Sequence, residues 1–202
     1  MIINGISTSL RGLFMTHQEV GEAQPKTNYV NIPYGNGSID LTEALGGVTY
    51  NDRIITADFV IKNYDEDLYS SLKNELHGLK TTISVKAGYH FVGRVRVLPF
   101  YRQGTAGRFS IEVVCEPYMY KDDETVVNVS VDGTQEVILT NEKMTTIPTI
   151  VTDAPIQVVH GYNTYSINAG THRLPIVLEQ GDTAIQLTGT ANVTIAYQEG
   201  VL

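Results

Sequence analysis

The feature that most constrains the fold is that a helical period occurs in only one stretch of the chain, "NYDEDLYSSLKNELHGLK". Leu68, Leu72 and Leu76 are spaced four residues apart there, which places them on one face of a helix. The pattern predicts a single helix over about residues 65–77. The rest of the chain is rich in short β-branched and aromatic stretches, so the sequence predicts a mainly β protein.

The ends of the predicted helix carry capping signals. Asn63 or Asp65 can cap its start, and Gly78 is a typical residue just past its end. The acidic side chains at 65–67 suit the positive end of the helix dipole. Adjacent acids also occur in metal sites, but helix capping is the preferred interpretation here.

The strands predicted around this helix make the first half of the chain an α+β unit. Residues 50–61 predict one strand, and "TTISVK", "YHFVGRVRVLPFY" and "GRFSIEVVCEPYMY" predict three more, with "RQGTAGR" as a hairpin loop. Alternation along 91–97 places the odd-numbered side chains on one face and Arg94 and Arg96 on the other. The first 30 residues are expected to be irregular, with short extended pieces.

The charged segment "YKDDETVVN" marks a domain boundary, because the composition changes on either side of it. We place the first domain at residues 1–121 and the second at 122–202. Short strands with turn signals and no helical period predict a small β-sandwich for the second domain. The predicted strands are 126–131, 135–139, 147–151, 156–160, 162–167, 173–178, 183–188 and 192–197, with turns at "DGT", "EQGD" and "GTA".

The charge of the chain is concentrated in its second half. Residues 1–120 carry 11 Lys and Arg against 12 Asp and Glu, a net charge of −1. Residues 121–202 carry 3 against 10, a net charge of −7. The acidic half is therefore unsuited to nucleic acid, which needs clustered Lys and Arg. The first half holds nine of the twelve tyrosines, a residue type favoured at protein interfaces.

The glycine-rich stretch "IPYGNGSIDLTE", residues 32–43, lacks the spacing of a phosphate-binding loop. No lysine follows Gly35 and Gly37 until Lys62, whereas a Walker loop needs one directly after its last glycine. Asp40 stands where a dinucleotide-binding loop has its third glycine, and a carboxylate there would repel pyrophosphate.

A backbone turn explains the residues of this stretch better than a phosphate-binding loop does. Pro33 fixes its own φ, and Asn36 and Gly37 tolerate a positive φ. Asp40 and Glu43 are expected to be a helix cap and its partner three residues later.

No catalytic constellation is visible in the sequence. Cys115 is the only cysteine, so no internal disulfide forms, and the apolar residues Ile111, Val113 and Val114 close to it predict a buried small hydrophobe. No G-x-S-x-G motif occurs, and the histidines lack metal-ligand spacing; they are His17, His77, His90, His160 and His172. Carboxylates for glycoside hydrolysis meet only in space and stay open, but the absence of Trp disfavours a glycosidase or lectin. We expect no enzyme, with no catalytic, cofactor-binding or metal-binding residues.

Two further expectations concern membranes and location. No apolar stretch approaches the roughly 18–20 residues of a membrane helix. The start "MIINGISTSLRG" lacks the features of a signal peptide. We therefore expect no membrane partner and synthesis in a cytoplasm.

The order of several short motifs resembles the distal tail (Dit) protein family of long-tailed phages, most like those of Gram-positive hosts. The motifs are "IPYGNGSIDLTE", "GVTYNDRIITADF", "LKNELHGLK", "YHFVGRVRV", "CEPYMY" and "GTANVTIAYQEGVL", and they span nearly the whole chain. Residue by residue, the resemblance covers Asp40-Leu41-Thr42, Tyr50, Asn51, Arg53, Leu76-His77-Gly78, Gly93-Arg94-Val95, Cys115, Pro117-Tyr118, Val193-Thr194-Ile195 and Tyr197. One departure is Tyr34, where the family often has glycine directly after the proline.

The resemblance implies a virion structural protein, a baseplate hub located at the phage tail tip. It implies a homo-hexameric ring formed by the first domain, and a galectin-like second domain outside that ring that is an attachment platform. The implied partners are other copies of the chain, the tail tube protein, the tail-associated tip protein and receptor-binding or other baseplate proteins, with no specific nucleic acid and no cofactor. The glycine loop is then expected to shape the approach to the ring-forming strand.

A carbohydrate-binding module that assists host attachment is the alternative. It would use the tyrosines of the second domain, Tyr162, Tyr165 and Tyr197. Tyr162 and Tyr165 differ by an odd number of residues, so in a regular strand they face opposite sides and do not line one flat platform.

Overall fold

The chain forms two compact units in a computed structural model that describes residues 1–44 and 46–202. The first unit is Met1–Pro117 and the second is Tyr118–Leu202. Ten strands and the α-helix of the described residues belong to the first unit, and eight strands to the second. The prediction of a mainly β protein with one α-helix is confirmed.

The first unit is built on one large antiparallel sheet and a separate two-stranded hairpin. Its sheet has the order β2-β1-β7-β8-β10-β6-β3, with β9 paired to the end of β10, and its hairpin consists of β4 and β5. The strands are β1 (Ile2–Ile3), β2 (Ile6–Ser7), β3 (Phe14–Val20), β4 (Tyr29–Asn31), β5 (Ser38–Asp40), β6 (Arg53–Ile61), β7 (Lys80–Lys86), β8 (Tyr89–Val97), β9 (Tyr101–Gln103) and β10 (Ala106–Cys115). A short 3-10 helix spans Thr8–Arg11, and α1 spans Glu66–Leu76.

Alternating side chains of the central strands form the core of the first unit. Along β8 the odd-numbered residues from Phe91 to Val97 are buried, whereas Arg94 and Arg96 are exposed, as the alternation predicts. The same pattern continues on β6, where Ile55 and Phe59 are buried, and on β10. Phe59 stacks on Phe109 of β10 with ring centroids 5.7 Å apart.

The helix packs through its predicted face and has the predicted cap. Leu72 and Leu76 are buried, and the Asp65 carboxylate accepts a hydrogen bond from the Leu68 amide at 2.9 Å. Past the helix, Gly78 has a φ of +85°, a left-handed conformation that favours glycine. The Gly78 amide donates to the Val95 carbonyl of β8 at 2.8 Å, so the end of the helix is fixed to the sheet.

The sequence expectation for the first 30 residues is wrong in part. They contain β3, a seven-residue strand that pairs with β6 at the edge of the large sheet. Most of β3 is exposed, including Phe14 and Met15, and its register shifts between Met15 and His17. A strand without a buried face lacks the alternation of polar and apolar residues, which is why the pattern did not predict it.

β8 and β10 approach each other so closely at Gly93 that a side chain does not fit. A Cβ at this position would lie 2.6 Å from the Cys115 Sγ and 2.8 Å from the Val114 carbonyl oxygen. Glycine within a strand often marks such an approach, and here it lets the core strands pair without a bulge.

The second unit is built on one antiparallel sheet with the order β15-β14-β17-β13-β16, and β12 also pairs with β17. At the two ends of the unit's sequence, β11 and β18 pair with each other. Its strands are β11 (Met119–Lys121), β12 (Thr125–Asn141), β13 (Thr149–Thr152), β14 (Ile156–His160), β15 (Asn163–Ile167), β16 (Gly170–Arg173), β17 (Gly181–Tyr197) and β18 (Gly200–Val201). Its core contains Leu139, Ile150, Leu178, Leu187 and Ile195 among other buried apolar residues.

Two turns predicted in the second unit are wrong. "DGT" and "GTA" lie inside β12 and β17, which pair without interruption from Thr125 opposite Tyr197 to Asn141 opposite Gly181. Gly133 and Gly189 face each other in this pairing, and both have a positive φ, +85° and +150°. Glycine in the middle of a strand is compatible with continuous pairing here and does not mark a reversal of the chain.

The strand predicted at 173–178 is also wrong. β16 ends at Arg173, and the following residues are not in a strand, apart from one bridge between Thr146 and Leu178. Ile176 and Leu178 are nevertheless fully buried, so the apolar residues that suggested a strand serve the core from an irregular segment.

We predict that Gly93→Ala destabilises the protein by about 1–3 kcal/mol, the usual range for an overpacked core. The new methyl group would press on Cys115 and on backbone that is fixed by pairing. Denaturant unfolding measures the change, with Gly47→Ala as the control, because a Cβ at Gly47 meets nothing within 4 Å. Equal stability of the two variants would contradict the close approach.

We also predict that the two units fold separately. Limited proteolysis should leave a protected fragment that begins near Asp122, since the charge and the strand pattern change at this point. Cleavage scattered through both units, with no protected fragment, is the result that argues against separate folding.

Candidate interaction surfaces

Residues 24–41, which we call the hairpin arm, form the most exposed part of the first unit. Every residue in this range is exposed, and β4 and β5 pair only with each other among the described residues. Its base is attached to the segment before β6, because the Lys26 amide donates to the Thr49 carbonyl and the Asn51 amide to the Gln24 carbonyl, both at 2.8 Å. The arm therefore extends from the large sheet without packing on it.

The arm exposes several large apolar side chains to solvent. The exposed large apolar residues are Tyr29, Val30, Ile32, Tyr34, Ile39 and Leu41. An isolated two-stranded hairpin is at best marginally stable in water, and contiguous exposed apolar groups mark interaction sites. The arm is thus the first candidate surface.

The tip of the arm has an unexpected conformation at Tyr34. Its φ is +60°, in the left-handed region that costs a non-glycine residue about 1–2 kcal/mol, and its relative exposure is 111%. Of the two residues that tolerate a positive φ, Gly37 adopts one and Asn36 does not. The sequence signal for this conformation is Tyr34 itself, which stands where the resembled family often has glycine. Glycine would adopt a positive φ without strain.

Asp40 caps a turn and not a helix. Its carboxylate accepts a hydrogen bond from the Thr42 amide at 2.9 Å, two residues later, which is an Asx-turn. Hydrogen bonds from the side chain and the backbone of Thr42 lower the pKa of Asp40. Residues 42–44 are in a turn, so the predicted cap with Glu43 as partner is wrong; residue 45 lies outside the described residues.

The outer edge of β3 is the second candidate surface. β3 is the last strand of the large sheet and pairs only with β6 among residues 1–44 and 46–202. Phe14, Met15 and Val20 are exposed along it. Residues 16–19 of the same strand are polar, so the exposed edge is mixed in character. Exposed edge strands can pair with another chain.

A groove of about 580 Å³ lies on the exposed face of the same sheet. Val92 and Val114 line it, together with Lys80, Arg94 and Arg96. Each of these cations already has a partner: Lys80 binds Glu116 at 2.7 Å, Arg96 binds Glu112 at 3.3 Å, and Arg94 donates to the Gly78 carbonyl at 2.6 Å. The groove therefore offers little free positive charge to an anion.

The histidines, Cys115 and the carboxylates form no metal site in the described residues. No three His, Cys, Asp or Glu side chains of the described residues are placed to hold a metal ion. Cys115 is fully buried, and burial raises the pKa of its thiol to about 12, so the thiol is protonated at neutral pH. Within the described part of the chain, no helix has the length and apolarity to span a membrane.

A charged cluster that the sequence does not reveal joins the two ends of the second unit. The Glu199 carboxylate is buried, accepts hydrogen bonds from the Thr125 hydroxyl and the Glu142 amide, and pairs with Lys121 at 2.9 Å. Burial favours a higher pKa for Glu199, but the hydrogen bonds from Thr125 and Lys121 outweigh it, and the pKa lies below its usual value. Lys121 and Glu199 are 78 positions apart, so no local pattern predicts their contact.

The three tyrosines of the second unit do not form a common platform. Tyr197 is buried and its hydroxyl donates to the Thr140 carbonyl at 2.7 Å, while Tyr165 packs partly against the core. Tyr162 precedes β15 and is fully exposed, with a relative exposure of 108%.

Comparison with solved structures identifies the fold. The SPP1 Dit (gp 19.1) protein, described as a paradigm of the hub adsorption apparatus in phages that infect Gram-positive bacteria, matches with a TM-score of 0.71. The match covers 100% of this chain and 98% of that chain, at 14% sequence identity. The chain has the fold of a Dit protein.

Other comparisons add little to the Dit fold. A conserved protein of unknown function from Pseudomonas aeruginosa PAO1 covers 92% of this chain and 100% of its own, at 12% identity. Its TM-score is 0.32, which is too low to indicate a shared fold. No protein-family model and no curated protein matches the sequence.

We predict that Glu199→Gln lowers the free energy of unfolding by about 2 kcal/mol at neutral pH, the usual worth of hydrogen bonds to a charged group. Because the folded-state pKa of Glu199 is lowered, its contribution is present above the unfolded pKa of about 4.3 and is lost as pH falls through the folded value. Denaturant unfolding between pH 7 and pH 3 should therefore show the variant and the wild type converging in acid.

The matched control for this prediction is Glu136→Gln, an exposed carboxylate on β12. It should change the stability by less than about 0.5 kcal/mol. A difference between wild type and Glu199→Gln that stays constant down to pH 3 would show that the charge of Glu199 is not what stabilises the cluster.

Proposed function

We propose that this chain is a virion structural protein of a phage tail tip, a member of the distal tail family that joins the tail tube to the tip and receptor-binding components. The observation that carries the proposal is the fold shared with the SPP1 Dit protein over the full length of both chains. The order of the sequence motifs supports it independently of the three-dimensional structure.

The first unit is the part we propose to form the hub ring, as a homo-hexamer. It is close to neutral at −1, whereas the second unit carries −7, so copies of the first unit pack together with little repulsion. Both exposed apolar surfaces, the hairpin arm and the β3 edge, also belong to the first unit. A near-neutral ring would let DNA pass without binding it.

The second unit is proposed to be a galectin-like attachment platform for receptor-binding or other baseplate proteins. The alternative, a carbohydrate-binding module, receives no support from the tyrosines that suggested it, since Tyr197 is buried and Tyr165 partly so. Flat aromatic platforms need exposed rings, and Tyr162 alone meets that condition.

Antibody labelling of phage particles that contain this chain tests the proposal. We predict that antibodies raised against residues 118–202 label one point, the distal end of the tail, in electron micrographs. Labelling along the whole tube, on the capsid, or on no particle would contradict the tail-tip assignment. A glycan array with the purified protein distinguishes the attachment platform from the carbohydrate-binding module, because specific glycan binding is expected only of the latter.

A further inference from the structure

Residues 198–201, which we call the closing segment, hold two other parts of the second unit in place. Three backbone amides donate to its oxygen atoms at 2.9 to 3.1 Å, those of Lys121, Glu142 and Met144. The first of these amides lies on β11, where the chain enters the unit, and the other two lie in the stretch between β12 and β13. Both parts therefore depend on the closing segment for backbone hydrogen bonds.

A buried carboxylate carries the charge of the closing segment. The Glu199 side chain is 5% exposed, lies 2.9 Å from the Lys121 ammonium and accepts a hydrogen bond from the Thr125 hydroxyl. Glu142 contacts the same ammonium at 2.7 Å, but its side chain is 37% exposed, so water replaces that contact at little cost. A buried polar group that loses its partners costs far more, so the ionised Glu199 is what fixes the segment.

The closing segment packs too closely to move in part. A Cβ at Gly200 would lie 3.2 Å from the Met144 Cβ and 3.2 Å from the Tyr118 Cβ, so the backbone itself fills this space. The Gln198 side-chain amide also donates to the Lys121 carbonyl at 2.7 Å. Tightly packed contacts of this kind are either made or lost and do not deform continuously. We therefore expect the segment to detach as a whole.

The sheet beside the closing segment does not depend on it. The pairing of β12 with β17 includes none of its residues. Thr146 and Leu178 exchange two backbone hydrogen bonds at 3.1 and 2.8 Å. The Asn141 side-chain amide anchors the stretch after β12 independently, because it donates to the carbonyls of Met144, Leu178 and Glu179. The closing segment can therefore leave while the core of the unit stays folded.

The titratable side chains around Glu199 are Lys121 of β11, Glu142 and Tyr197 of β17. Hydrogen bonds to the two carboxylates raise the pKa of Lys121, and burial raises the pKa of Tyr197, so both stay protonated from neutral pH to acid. Burial also favours a higher pKa for Glu199, but hydrogen bonds from Thr125 and Lys121 hold that pKa below its ordinary value. The charge of Glu199 thus supports docking above the unfolded pKa of about 4.3, and this support is lost as the pH falls through the folded value.

We propose that the closing segment is an acid-sensitive latch, which docks through the ionised Glu199 and detaches as a whole from β11 and from the stretch after β12 when this carboxylate is neutralised. Opening removes one set of hydrogen bonds from β11 and leaves the sheet of the unit folded. The second unit thereby has a local conformational change that pH controls. The inference does not rest on the proposed tail-tip function.

Amide hydrogen exchange of the full chain, read by NMR at pH 7, compares wild type with Glu199→Gln. The amides at positions 121, 142 and 144 should share one opening free energy, because a single event exposes all three. Glu199→Gln should speed their exchange about tenfold or more, the usual effect of losing a hydrogen bond to a charged group. The amides of Thr146 and Leu178 should stay more protected than these three in both proteins, which also shows that the variant is folded.

The matched control is Glu142→Gln, which removes a carboxylate from the same Lys121 ammonium at a more exposed position. Exchange at positions 121 and 144 should change by less than about threefold in this variant.

Acid titration of wild type is the second measurement. Between pH 7 and pH 2, the NMR signals of residues 198–201 should move to random-coil positions with one midpoint, while those of Thr146 and Leu178 keep their folded positions. Glu199→Gln should show no such midpoint, because the titrating group is gone.

Three outcomes would overturn the latch. They are unequal opening free energies of the three amides; equal effects of Glu142→Gln and Glu199→Gln; and wild-type signals of residues 198–201 that either stay in place down to pH 2 or move only when the whole chain unfolds. None of these measurements involves phage particles, so failure of the latch is separate from failure of the tail-tip assignment.

Discussion

Nine residue pairs in unbroken register join β6 to β10, from Gly107 opposite Ile61 to Cys115 opposite Arg53, and the rest of the first unit is arranged around this pairing. One face of the two strands supplies the core. β8 pairs with the other side of β10, where Gly93 allows the strands to approach without a bulge. β3 covers the other side of β6 and ends the sheet. The exposed edge of β3 and the hairpin arm both lie in the chain segment that precedes β6.

The base and the tip of the hairpin arm are held in different ways. It leaves the chain after β3 and returns just before β6, and the bridge between Pro25 and Tyr50 closes its base. The base is therefore held to the segment before β6, while in the described residues the strands of the tip pair only with each other. Strain at Tyr34 is tolerated there because the turn is short and closed, with the Gly35 amide donating to the Ile32 carbonyl at 3.1 Å.

Sequence patterns predicted the secondary-structure elements that have a local periodicity of apolar residues. The helix was predicted within one residue at each end, because its apolar spacing and the Asp65 cap are local signals. β3 was missed because an exposed strand has no alternation to detect. "DGT" and "GTA" resemble turns because glycine is common in turns, and only the pairing of Gly133 with Gly189 shows that the strands continue through them.

The candidate surfaces were less predictable than the fold. Tyr34 departs from the pattern of the resembled family, but its φ and exposure depend on the hairpin. The Glu199 cluster joins residues from both ends of the second unit, and contacts between distant positions leave no pattern in a single sequence.

Hydrogen–deuterium exchange of the full chain at low and high concentration tests the central claim, association of copies through the first unit, most directly. The account predicts that raising the concentration protects backbone amides in residues 24–41 and 14–20 together, with little change in residues 118–202. Protection that appears in the second unit while the arm and β3 continue to exchange freely would contradict it.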